Sequence, residues 1–150
     1  MSLVHPIVRS FAVLAALSTT LLLPACSGDD PPPEKSDFPE AALASLESDG
    51  GALHVEVRSA PTQPPSRGEA RFELRLSDPH GAPADGLTLE VTPWMPSMNH
   101  GSTMTPEVSA DGGGRYVVSH VGLFMAGRWE LRTKITGAKT DSFTVAFDVP

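Results

Sequence analysis

The sequence predicts an all-β domain, an immunoglobulin-like antiparallel β-sandwich of about seven strands. Three observations predict it. Apolar and polar residues alternate with period two in segment after segment from residue 52 to the end, the pattern of strands with one face inward and one to water. Glycine-, proline- and aspartate-rich stretches separate these segments and read as turns. No segment carries a convincing helical period, so the strands must cover one another.

In chain order, "ALHVEVRS" (52–59) sets Leu53, Val55 and Val57 against His54, Glu56 and Arg58. After the irregular "APTQPPSRG" (60–68), "EARFELRLSD" (69–78) sets Phe72, Leu74 and Leu76 against Arg71, Glu73 and Arg75. "GLTLEVTP" (86–93) sets Leu87, Leu89 and Val91 against Thr88, Glu90 and Thr92. "GRYVVSHV" (114–121) is less polar on both sides. "GRWELRTKI" (127–135) and "DSFTVAFDV" (141–149) alternate again, and a seventh strand near "TPEVSA" (105–110) completes the count. The connections "DPHGAPADG", "DGGG", "MAG" and "TGAKTD" carry turn chemistry.

The residues ahead of this pattern have another character. "MSLVHPIVRSFAVLAALSTTLLLPAC" reads as a secretory leader, with positive charge at Arg9 and an apolar run from Phe11 to Leu23. That run is short for a membrane span and is interrupted by Ser18, Thr19 and Thr20. Leu23-Pro24-Ala25-Cys26 resembles the bacterial lipobox, in which the cysteine is diacylated and becomes the first mature residue. The alternative is an ordinary secreted chain with a stray thiol. Cys26 is the only cysteine, so no intramolecular disulfide can form. "SGDDPPPEKSDFPE" is polar, acidic and proline-rich, a tether rather than a folded segment. "AALASLES" (41–48) is expected to be loose or to form one turn. The expected organisation is a leader over 1–25, a tether over 26–50 and a sandwich over 51–150.

Formal net charge is −7, from 11 basic and 18 acidic residues, and no basic block remains outside the leader. Nucleic acid is therefore not an expected partner, and neither are anionic headgroups recognised by charge. The nucleophile-elbow, phosphate-loop, H-E-x-x-H and C-x-x-C patterns are absent, and no enzymatic activity is expected.

One stretch stands apart. "TPWMPSMNHGSTM" (92–104) holds Met95, Met98, Met104 and His100, and its prolines forbid a regular helix. Apart from the initiator, every methionine falls between Met95 and Met125, and His120 lies in the same interval. Thioethers with imidazole suit Cu(I) rather than zinc or calcium. The candidate ligands are Met95, Met98 and His100, with Met125 or Met104 completing the site; His120 is the weakest. Two other readings stand beside this one. The methionines can be flexible gap-fillers that lid the core, or an exposed apolar patch that docks an envelope protein. Trp94 is either part of the core or a ring that shields a bound cation.

"PWMPSMNHG", followed by "GGGRYVVSHVGLFMAGRWELRTKI", resembles the YtkA-like domain family. Its pattern runs M-P-x-M-x-H-G, then G-x-Y, then M-x-G-x-W. Here these fall at Met95, Pro96, Met98, His100 and Gly101, at Gly114 and Tyr116, and at Met125, Gly127 and Trp129. Ala126 stands where members often carry proline. The resemblance covers roughly 50–150. It implies a small exported β-sandwich, often a lipoprotein, with no established enzymatic activity. It also implies kinship with FixH-type proteins associated with copper handling and cytochrome oxidase assembly. The FixH-type membrane helix is lacking, and a lipid on Cys26 would take its place. The expected partners are thus a membrane, through Cys26, and an envelope protein.

Overall fold

A computed structural model describes residues 36–150. The expected leader over 1–25, the lipidation site Cys26 and the tether up to residue 35 lie outside the described residues. Among those described there are nine strands and no α-helix: β1 Ala44–Glu47, β2 His54–Ala60, β3 Gly68–Ser77, β4 Leu87–Met95, β5 His100–Gly101, β6 Glu107–Gly112, β7 Arg115–Leu123, β8 Gly127–Gly137 and β9 Asp141–Val149. They form two sheets, ordered β1-β2-β3-β7-β6 and β5-β4-β8-β9, and every pairing is antiparallel. All seven expected strands are present. The two additions are β1 and the two-residue β5, which are too short to show a period.

The alternation sets which residues meet between the sheets. Val55, Val57, Phe72, Leu74, Tyr116 and Val118 face Val91, Leu131, Ile135, Phe143, Val145 and Phe147, all buried. The Phe72 and Phe147 rings sit 5.3 Å apart, centroid to centroid. Burying each large apolar side chain contributes about 1.5–3 kcal/mol, which lets a chain without disulfides hold together.

The expected tether ends earlier than its composition implies. Phe38 is 8 % exposed, and Ala44–Glu47, expected to be loose or a single turn, pairs with β2 as β1. The cause lies in β2 and β3, where outward-facing arginines hold the segment. Arg71 pairs with Asp37 at 2.9 Å and stacks over the Phe38 ring. Arg58 Nε donates to the Glu40 carbonyl at 3.1 Å. Beneath this strap Glu73, a polar position of the alternation, is fully buried. Arg115 and Arg75 bond its carboxylate at 2.6 and 2.8 Å, and Arg58 stands 3.6 Å away.

The "DGGG" turn is a two-residue hairpin loop between β6 and β7, with φ of 63° at Gly113 and 72° at Gly114. Positive φ at both central residues is what such a loop requires. Gly114 is also pressed against the Leu76 carbonyl, leaving no room for a side chain. Two residues on, the Tyr116 hydroxyl donates to the Ala84 carbonyl at 2.9 Å and accepts from Leu87 N–H at 3.2 Å. The G-x-Y element thus ties the long 78–86 connection to the start of β4.

Candidate functional site

The methionine stretch is a tight hairpin. β4 runs to Met95, four residues turn, and β5 returns with Met95 opposite His100 and Trp94 opposite Gly101. Met98 N–H donates to the Met95 carbonyl and Asn99 N–H to the Pro96 carbonyl, each at 3.2 Å. Pro96 presets the φ that the second turn position needs. Asn99 takes the left-handed conformation, φ 53°, which asparagine tolerates better than most residues. Pro93 fits within β4 because its carbonyl accepts from Ser102 N–H on the β5 side. Its missing N–H faces that same edge, so no bond to β8 is lost.

The candidate ligands separate by exposure. Met95 is 4 % exposed and belongs to the core. A Cβ on Gly127 would lie 2.8 Å from its Cε. Met98, in the turn, is 56 % exposed. His100 is exposed, and its Nδ1 lies 2.8 Å from the Gly101 carbonyl. A carbonyl can only accept, so in the neutral ring Nδ1 carries the proton and Nε2 the lone pair. Met125 packs partly buried against the core, and its carbonyl accepts the Trp129 indole N–H at 2.9 Å.

Met104 goes elsewhere. Its sulfur lies 3.0 Å from where a Cβ on Gly122 would be, and Gly122 stands opposite Glu69 in the β3–β7 ladder. Met104 therefore sits on the sheet face that carries Glu69 rather than with Met95. There His120 Nδ1 contacts Glu69 Oε1 at 2.8 Å. His120 has φ 57° in a bulge where Ser119 and His120 both oppose Arg71, and such bulges re-aim side chains. Sequence reasoning missed Glu69, since nothing local links it to a histidine 51 residues away.

Trp94 is half-buried and lies outside the core. Met95 takes the inward parity, so Trp94 points outward, where the Arg132 guanidinium stacks 4.8 Å from its ring centroid. Among the described residues no three His, Cys, Asp or Glu side chains converge as a metal site would require. A thioether beside an imidazole is a donor set that suits a soft ion such as Cu(I). Met98 and His100 are the exposed thioether and imidazole of the hairpin.

The pairing of "MPSMNHG" with "MAGRW" has a packing cause. Trp129, 2 % exposed, pins the turn through the Met125 carbonyl. Gly127 holds φ 127° and leaves the space that the Met95 methyl fills.

A search of the curated proteins finds no match. Among solved structures, a DUF4426 family protein from Pseudomonas aeruginosa is similar at TM-score 0.47 and 8 % identity, over 70 % of this chain and 93 % of that one. FetP of uropathogenic Escherichia coli is similar at 0.43 and 11 %, over 71 % and 91 %. A copper-bound variant of the same FetP is similar at 0.42 and 9 %, over 71 % and 87 %. The YtkA-like family model matches residues 50–134, which is more than half of the chain and contains all three sequence elements, so the chain belongs to the YtkA-like family.

Proposed function

We propose that this YtkA-like domain is an envelope lipoprotein, anchored through Cys26, that binds or carries Cu(I) and has no enzymatic activity. Met98 and His100 are the ligands. The observation that carries this reading is the exposure of both on one tight hairpin, with the His100 tautomer held so that Nε2 is available. Two ligands open to solvent suit transfer to an envelope partner better than a closed site does. Met95 lies at the root of the hairpin and supports it from the core. Met125 and Met104 are further thioethers at this end of the chain's sandwich, outside the ligand pair.

The test is a Cu(I) competition titration against a chromophoric chelator. The expected result is one equivalent bound more tightly than about 1 μM, weakened about tenfold or more by Met98→Ala or His100→Ala. Affinity unchanged in the double variant would sink the proposal. Palmitate labelling that survives Cys26→Ser would remove the anchor from it.

One observation favours a second reading. Met98 at 56 % and Phe124 at 55 % are the large hydrophobic side chains left exposed among the described residues. As a docking patch they would lose a partner in Met98→Ala/Phe124→Ala, while Phe124→Ala alone would leave copper binding unchanged.

A further inference from the structure

β4 is paired along one side only. Against β8 its ladder runs from Leu87 to Trp94, whereas on the other side β5 covers only Trp94 and Met95. Backbone groups of alternate residues point to the same side of a strand. Pro93 directs its carbonyl to the β5 side, so Leu87, Leu89 and Val91 direct their N–H and C=O groups there too. The Leu87 N–H is taken by the Tyr116 hydroxyl. For the N–H and C=O of Leu89 and Val91 there is no hydrogen-bond partner among the described residues. These groups open onto a groove of about 460 Å³ whose far wall is the crossover from Gly101 to Val108, including Met104 and Pro106.

We propose that this edge is a strand-addition site for an extended segment of another protein, one with a basic residue between two apolar ones. A row of unpaired backbone donors and acceptors is satisfied in full by another extended backbone. In an antiparallel pair, residues opposite Leu89 and Val91 would point to the inner side, toward Pro106 and Val108 of the groove wall. The residue between them would point outward, opposite Glu90, which is exposed. Opposite charges in that position attract and like charges repel.

A second copy of the chain does not fit. Antiparallel self-pairing of Leu89 with Val91 places Glu90 directly opposite Glu90. Shifting one way requires the Leu87 N–H that Tyr116 holds. Shifting the other way requires an N–H from Pro93, which has none, and its carbonyl is already bonded to Ser102. The edge thus disfavours its own copy while remaining open to a different strand. This inference is independent of the metal reading, because it uses none of the candidate ligands except Met104 as a wall.

The probe is the peptide acetyl-Thr-Thr-Val-Lys-Val-Thr-Thr-amide, and the readout is amide hydrogen exchange resolved to single residues. At a peptide concentration about ten times its dissociation constant, exchange at Leu89 and Val91 is expected to slow about tenfold. N-methylation of the two valines, which removes the donors aimed at β4, should abolish the effect. Glu90→Lys should weaken binding of the lysine peptide and favour one with glutamate in its place. No binding at millimolar peptide, equal binding of the N-methylated peptide, or protection confined to other strands would overturn the proposal. So would a dimer in sedimentation equilibrium whose Val91 amide is already protected.

Discussion

Gly127→Ala tests the packing link between the two halves of the family pattern. The backbone at Gly127 has φ 127°, a region open essentially to glycine alone, and a side chain there costs on the order of 1–3 kcal/mol. The added Cβ would also fall 2.8 Å from the Met95 methyl. Met95 must then leave a rotamer packed at 4 % exposure, and overpacking of this kind costs about 1–3 kcal/mol, less when the side chain is flexible. The expected total is about 2–4 kcal/mol, a large fraction of the roughly 5–15 kcal/mol that holds a domain folded. The two contributions separate in a double-mutant cycle. Met95→Ala alone should cost about 2–5 kcal/mol. Combined with Gly127→Ala it should cost less than the sum, by about 1 kcal/mol, because the clash is gone while the backbone strain stays. Urea unfolding followed by tryptophan fluorescence reports all four proteins. A Gly127→Ala variant within about 0.5 kcal/mol of the parent, the scale of an innocuous surface substitution, would refute the reasoning. Strict additivity of the pair would refute the contact between the hairpin and the turn.

Two further outcomes follow from buried polar groups. Tyr116→Phe leaves the Ala84 carbonyl and the Leu87 N–H without their shared partner, so the urea midpoint should fall by the equivalent of about 1–3 kcal/mol; an unchanged midpoint would mean that water replaces the hydroxyl. Burial by itself raises the pKa of Glu73, but Arg115 and Arg75 outweigh it and hold the carboxyl below its ordinary 4.5. A depressed folded-state pKa contributes stability that is complete above the ordinary value and is lost as pH falls through the folded one. Stability should therefore drop in acid below that value, and Glu73→Gln should remove this part of the pH dependence. At neutral pH the same variant should cost about 3 kcal/mol by removing the buried charge that Arg115 and Arg75 bond. Urea midpoints of parent and variant from neutral pH down to strong acid check both statements.

Much of this architecture was legible before any coordinates. Period-two alternation and the turns between segments located six strands, because burial on one face leaves its mark at every second residue, and the seventh near 105–110 came from the strand count of the fold. β1 and β5 were not legible. β1 owes its place to β2 and to arginines that hold the preceding strap, and β5 owes its place to the turn that folds it back on β4. The same holds for Glu73, an ordinary polar position by its period, whose burial depends on what lies across it.

The candidate site divides along the same line. By itself the sequence determined a YtkA-like all-β chain and a proline-bounded stretch holding methionine and histidine, and it predicted export and lipidation at Cys26. Local spacing cannot say which thioether faces the core. Only the tertiary structure sent Met95 inward against Gly127, left Met98 and His100 open, set Met104 on the face that carries Glu69, and placed Trp94 outside under Arg132. The physical reason is that exposure, ring orientation and edge pairing are properties of two sheets meeting, and each depends on partners tens of residues away in the chain.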